Sequence, residues 1–501
     1  MQRGRCGQPM RSSWLGPEGS GGEMAKPRDV TVIGAGMGGL ATAALLARAG
    51  LRPLVIERAD AVGGRGRMRP YRGYRLPVAV RIYGKRAIDA LLARLGLTFD
   101  FAPIHSPILA FYLTRRRRYL PLPDDLLAGY VDLFAAMGIG RRQARAIGSA
   151  LAAWVRVPAE EIARLIRTGT AFSEFVRRQV KDPALRHLLF NVTTWVGHGI
   201  PDPRRLSAGQ FLEKFVFPIT EGESSGYAGV PTDQELLDLL AEYIRDHGGE
   251  VRLSTEAVRL ESGDHRVTGV IVRDLGLESH ERVQSRAVVL AAPVWQALRL
   301  ADARLFPPRW RAAVGEMPRH EGGLVALWYG LREKVCDVSS WIRFLLPDPV
   351  SRTETFYGGG AMFLSNISPG VAPPGRQLFV AEIMVEDLLA RDWDRVELRV
   401  GQVRQWARGL FAELQRQGRC TATLEEVTEW EKVAAYWPGW GASHFSVLPT
   451  PDVRVPGVRG LYLAGDTVAS SRMGFDSAAA SGTRCAEAIL ADGGDAPLRR
   501  R

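Results

Sequence analysis

Residues 29–58 read DVTVIGAGMGGLATAALLARAGLRPLVIER, and their pattern decides the fold. An apolar run ending at Ile33 meets a glycine turn, an Ala/Leu-rich segment follows, and a second apolar run ends at Glu57. This order predicts strand, turn, helix and strand in one βαβ unit. Gly34, Gly36 and Gly39 take the three glycine positions of G-x-G-x-x-G, with Ala35, Met37 and Gly38 between them. The first glycine permits a tight turn, the second lets a pyrophosphate approach the backbone, and the third lets helix and strand pack closely. The helix end that opens there attracts phosphate. Glu57 lies 23 residues after Gly34, where a carboxylate binds a ribose 2′-hydroxyl and repels a 2′-phosphate, so NADP is disfavoured. Glycines alone fit any strand-to-helix turn; the flanking strand, helix and carboxylate favour a dinucleotide.

Working outward, residues 57–67 read ERADAVGGRGR: Glu57 and Arg58, then Gly63-Gly64-Arg65. The glycines expose backbone N–H groups, and Arg65 or Arg67 supplies charge-assisted bonds to phosphate. At the far end, RGLYLAGD (459–466) reads as a buried strand and a turn, and MGFDSAAASGTRCAEAIL (473–490) as a final helix.

These two ends resemble the flavoprotein superfamily of amine oxidases, phytoene desaturases and their relatives, and most of all its bacterial phytoene desaturase-like members. The resemblance implies FAD, with the Glu57-to-Arg65 segment crossing its pyrophosphate and Gly465 and Asp466 near its ribityl chain. It implies that Met473, Phe475, Asp476 and Ala478 open a helix whose positive end faces the flavin ring, where it would stabilise charge on reduction. Val258 is similar to the position whose backbone meets the adenine, and Ala291-Ala292-Pro293 to the strand returning to the flavin domain; both are equally readable as buried strand. The chain departs from the amine-oxidase pattern in two places. No cysteine lies between Trp437 and Phe445, so the flavin is expected to be non-covalent, and Pro231-Thr232 replaces the usual paired glycines.

The expected fold class is α/β: a Rossmann-type FAD-binding domain of glutathione-reductase-like flavoprotein fold, with an inserted α+β substrate domain and a helical cap. Residues 1–24 are expected to be disordered, with the start read at either Met1 or Met24. Segments 25–100, 225–322 and 446–501 are assigned to the FAD-binding domain, 101–224 to the cap, and 323–445 to a substrate domain of sheet and helix. The stretch from about Arg86 to Phe217 has mainly helical periodicity, with apolar faces at Leu126–Met137 and Ala144–Trp154. Further helices are expected at Asp233–His247, started by a Thr232/Glu235 capping-box spacing, and at Trp393–Leu414.

At 501 residues, with 46% hydrophobic and 24% charged, the composition is that of a globular protein with two cores. The net charge of +12 does not indicate nucleic acid, because only six of the 66 basic residues are lysine and the arginines are spread along the chain, as a compositional bias would spread them. No nucleic-acid partner is expected. Arg115–Arg118 and the basic tail at 498–501 read either as a solvated loop and end or as contacts to anionic lipid, which would make the protein peripheral to the inner face of a membrane. No run approaches the roughly 20 apolar residues of a spanning helix. Cys6, Cys336, Cys420 and Cys485 are far apart in sequence and form no C-x-x-C pair, so neither a metal site nor a redox disulfide is read from them, and a cytoplasmic compartment fits.

With no second G-x-G-x-x-G there is no dedicated nicotinamide domain, and oxygen or a quinone is the expected electron acceptor. Trp341, Tyr357, Phe363, Tyr436, Trp437, Trp440 and Phe445 are either core or the wall of an apolar tunnel. The resemblance then implies hydride transfer from a lipophilic isoprenoid or polyene to flavin N5, as a desaturase, saturase or isomerase. Two other readings stay open: an amine oxidase, and a prenyl-binding chaperone resembling GDP-dissociation inhibitors. His187, His198 and Glu174 are conceivable bases, and no catalytic residue is assigned.

Overall fold

In a computed structural model, which describes residues 28–77, 82–101, 107, 109–123, 126–195, 202–213, 227–229, 233–320, 323–347, 356–385, 392–436, 446–470 and 474–493, the chain begins with the expected βαβ unit. Residues 1–24, His198, Pro231-Thr232, Met473 and the basic tail lie outside the described residues.

Strand β1 (Arg28–Ile33) pairs in parallel with β2 (Pro53–Ile56), and helix α1 (Met37–Arg48) crosses between them. Both strands are buried where they pair, which explains their unbroken apolar runs. Alanines at 41, 43, 44 and 47 keep α1 slim, so it is buried almost end to end. A hairpin of β3 (Met68–Tyr71) and β4 (Tyr74–Pro77), a short β5 (Ile82–Gly84) and α2 (Arg86–Leu95) follow.

The next segment is helical as expected, with one exception. Before α3 (Leu126–Ala136), α4 (Arg141–Val155), α5 (Ala159–Arg167), α6 (Phe172–Gln179) and α7 (Pro183–Trp195) comes a hairpin, β6 (Leu109–Leu113) and β7 (Arg118–Pro121). Its period of two explains it. Phe111 packs into the cap with Trp154, Phe172 and Phe211, while Ala110 and Tyr112 point to the opposite core. Arg116, Arg117 and Arg118 are exposed at its tip.

The chain then returns through β8 (Tyr227–Gly229), which pairs with β5, and α8 (Asp233–Asp246). Strand β9 (Glu250–Arg252) joins β2, and a meander of β10 (Thr255–Gly263), β11 (Arg266–Asp274) and β12 (His280–Leu290) follows. The inner end of β12 pairs in parallel with β1, and its outer end is antiparallel to β11.

A second sheet is built from β13 (Gly323–Leu331), β14 (Trp341–Pro347), β15 (Phe356–Phe363), β16 (Gln377–Val385) and, after α9 (Trp393–Arg416), β17 (Thr428–Tyr436). Its strand order is β17-β13-β16-β15-β14-β6-β7, so the hairpin from the cap segment completes it. On its outer face Val396, Val400, Val403, Ala407, Leu410 and Leu414 of α9 meet Ile342, Phe344, Phe379 and Ile383. Each large apolar side chain buried there contributes about 1.5–3 kcal/mol. On its inner face Ala326, Trp328, Met362 and Val380 meet Met68, Tyr74 and Leu76 of the β3–β4 hairpin.

The last segment closes the first sheet. Strand β18 (Leu461–Leu463) pairs in parallel with β12, and α10 (Gly474–Gly493) lies against α1. The contact is close because Gly482 has no side chain: a Cβ there would lie 2.5 Å from the Gly38 oxygen. Among the described residues no helix is long and apolar enough to cross a membrane.

Candidate functional site

The site forms where the loops after β1, β2 and β18 converge. Gly34 has φ +105°, and a Cβ on it would lie 2.8 Å from the Ala291 carbonyl oxygen; both facts demand glycine. A side chain at Gly39 would collide with the Gly34 oxygen, and one at Gly38 would lie 2.6 Å from Gly465 N. Gly36 differs from all three, since a Cβ there would meet nothing within 4 Å. It is the N-cap of α1, with no side-chain cap and no acidic residue in the first turn. The first amides of α1 are therefore offered at the open side of the turn.

The second loop folds onto the first. Gly63 N donates to Ala35 O at 2.8 Å, and a Cβ on Gly64 would be 3.5 Å from Gly36 Cα. Arg67 pairs with Asp60 at 2.6 Å, whereas Arg65 reaches across to Asp466. Glu57 is held on both oxygens, accepting from Ala35 N and Ala59 N, each at 2.9 Å. A carboxylate oxygen accepts more than one hydrogen bond, so this grip fixes Glu57 without exhausting it. Arg58 is exposed.

From the rear, Gly465 has φ +113° with open space where a Cβ would stand. Its N–H donates to Ser481 Oγ at 2.9 Å, and the Ser481 hydroxyl reaches back to its carbonyl at 2.8 Å. Phe475 lies against Gly66, where any side chain would strike its ring, and Ala478 is buried one turn along α10. Gly36, Gly64, Arg65, Gly465 and Phe475 are thus brought together from opposite ends of the chain. Asp476 Oδ1 accepts from Ala87 N at 2.6 Å and Ile88 N at 3.1 Å and so closes the N-terminus of α2. Val258 sits on β10 beside a bulge, 41% exposed.

A diphosphate fits this arrangement. Two positions stripped of side chains flank an uncapped helix start, and a guanidinium stands beside them.

Of the aromatics named from the sequence, Phe363 belongs to the core under α9, packed on Phe379 at 4.8 Å between ring centres. Trp341 lies on the inner face, with the Arg343 guanidinium 4.4 Å from its ring centre. The register aligns Arg343, Gly360 and Glu382 across three strands of that face, and both charged residues are buried. Trp437, Trp440 and Phe445 lie outside the described residues, as do the side chains of Tyr357 and Tyr436. Glu174 is a half-exposed surface carboxylate paired with Arg178, and His187 is exposed.

Sequence reading passed over Ser481 and His320. Ser481 stands two turns into a helix, where no motif marks it. His320 sits just before β13, its Nδ1 2.8 Å from Ser446 Oγ. Ser446 Oγ also accepts from Leu448 N at 3.0 Å, and the tautomer of the ring decides which of Ser446 and His320 donates to the other. Burial, then the nearby Arg205, lowers the His320 pKa below its usual value.

Comparison with known proteins agrees with this geometry. The family model described as flavin containing amine oxidoreductase matches residues 37–490. A hydroxyneurosporene desaturase of Rhodobacter capsulatus is 31% identical over 202 residues, 35% of this chain and 40% of that protein. A neurosporene-forming phytoene desaturase of the same organism is 28% identical over 277 residues, 48% of this chain and 49% of its own. The matched part of the chain therefore spans less than half the length of either relative. Among solved structures, an oxidoreductase from Methanosarcina mazei superposes with a TM-score of 0.68 at 16% identity, covering 92% of this chain and all of the other. At that identity the likeness concerns fold alone.

Proposed function

Because the chain belongs to the flavin-containing amine oxidoreductase family, and is therefore an FAD-dependent oxidoreductase, we propose that it oxidises, reduces or isomerises a lipophilic isoprenoid or polyene. The observation that carries this reading is the similarity to two carotenoid desaturases.

Bound FAD supplies a hydride acceptor at N5. In this reading the amides opening α1 at Gly36, together with Gly64 and Arg65, hold the diphosphate. Glu57 accepts from the adenosine ribose, and the Val258 backbone meets the adenine. Gly465 and Asp466 line the ribityl chain, and Asp466 at the same time keeps Arg65 extended toward the phosphates. The start of α10, with Phe475 and Ala478, would offer a positive helix end to the ring, with Met473 preceding it in the sequence. The inner face of the second sheet and the cap form the substrate wall, with Trp341 on its apolar surface and Arg343 and Glu382 as its charged points. The division into a three-part FAD-binding domain (25–100, 225–322 and 446–501), a cap (101–224) and a sheet domain (323–445) is part of the same proposal. So are oxygen or a quinone as acceptor and lipid contact through the exposed arginines at 116–118.

An anaerobic titration tests the reading. Flavin-loaded protein is mixed with a panel of polyenes and a panel of primary and secondary amines while flavin absorbance is followed. Bleaching by, or product from, the polyenes is expected. Bleaching by amines alone would replace this reading with that of an amine oxidase, the activity the family's description names.

A further inference from the structure

Cys336 and Cys420, remote in sequence, are neighbours in the structure. They form an isolated antiparallel bridge between the loop after β13 and the segment after α9. The bridge is of the non-hydrogen-bonded kind. Thr421 N donates to Val335 O at 2.9 Å, outside the pair, while the two cysteine amides are spent elsewhere: Cys336 N on Gln377 Oε1 at 3.2 Å and Cys420 N on Leu414 O at 3.2 Å. Opposed side chains approach most closely at such positions, with Cα atoms roughly 4.5 Å apart, inside the span a disulfide bridges.

Both backbones are held where they are. The Gln377 side chain, fully buried, accepts from Val335 N and Cys336 N and donates to Cys336 O at 2.7 Å, and Asn366 donates to the same oxygen at 2.8 Å. On the other side Arg419 N closes the end of α9 onto Leu414 O at 2.8 Å. The two thiols are buried among Val335, Val338, Leu424 and Val427. Cys485 is a contrast, a buried thiol in a different core.

We propose that Cys336 and Cys420 are a dithiol site that closes to a cross-strand disulfide under hydrogen peroxide, fastening the loop after β13 to the end of α9. One sulfur attacks a peroxide oxygen, the O–O bond breaks, water leaves and a sulfenic acid forms. The second sulfur attacks the first, the S–S bond forms and a second water leaves. The two thiols give up two electrons and two protons, and one peroxide becomes two waters. The adjoining Cys336, then burial, hold the Cys420 thiol above the ordinary thiol range, so closure is slow at neutral pH and faster in mild alkali.

The test uses the full chain, reduced, desalted and treated with hydrogen peroxide at alkaline pH, with thiols counted after denaturation. Two of the four thiols should disappear, a peptide joining Cys336 to Cys420 should appear two hydrogens lighter than its parts, and the melting temperature should rise by about 5 °C until reductant is added. Cys336→Ala and Cys420→Ala should each abolish the linked peptide and the rise. Persistence of all four thiols, separate sulfinic acids without a linked peptide, or a linkage through Cys6 or Cys485 would each overturn the proposal. None of these outcomes depends on the substrate.

Discussion

At residues 34–39 the chain turns on glycines whose missing side chains leave amides exposed, whereas the rear turn at Gly465 is accompanied by two carboxylates, Asp466 and Asp476, that already have protein partners. The front turn is specified by space: Gly34, Gly38 and Gly39 are each pressed against backbone, and Gly36 alone faces an opening. The rear turn is specified by charge, with Asp466 on Arg65 and Asp476 on the amides of α2. A motif can thus mark a binding surface or the scaffold beside it, and the partners tell which.

The largest test of this contrast is within the front turn. Gly39→Val should cost about 3 kcal/mol or more, since its side chain must displace the Gly34 carbonyl. Gly36→Ala should leave the melting temperature of the flavin-free protein unchanged and weaken FAD roughly tenfold, about 1.4 kcal/mol. Equal stability losses in the two variants would erase the distinction.

A second comparison sets Glu57 against Asp476. Glu57→Ala should weaken FAD binding by about 1–3 kcal/mol, read by titration of the flavin-free protein. Asp476→Ala should instead destabilise the protein by about 1–2 kcal/mol through the uncapped α2, with little change in FAD affinity. Loss of FAD without loss of stability at Asp476 would return that residue to the cofactor.

The smallest effect is expected at His320, just before β13. Its folded pKa lies below the usual histidine value, so the unfolded chain takes up the proton first as pH falls. Stability is full above about pH 6.5 and declines as pH drops toward the folded value, by at most about 1 kcal/mol because the ring is only partly shielded. Arg205 reinforces this direction and Glu316 opposes it. His320→Asn should flatten melting temperature against pH between about 5 and 7; an unaltered slope would assign the dependence to other groups.

The front turn was legible because the backbone itself dictates glycine at fixed spacing, and Glu57 because strand length sets its distance. The β6–β7 hairpin was hidden by its setting, a few alternating residues in a helical stretch, paired with β14 far along the chain. The capping bonds of Asp476 were hidden because the amides it caps belong to a helix near the other terminus. For the same reason Cys336 and Cys420 looked unrelated: nothing local to either residue records the strand register that opposes them.

The hairpin has a consequence for anyone who would exchange specificities among such proteins. Excising the segment before β8 would strip two strands from the second sheet and leave β14 a raw edge, with Trp341 and Ile342 deprived of their pairing to Leu109 and Ala110. The roof cannot be transplanted without its wall. A chimera that swaps residues 109–121 together with β14 keeps the seam intact, and one that cuts between them invites strand-to-strand aggregation.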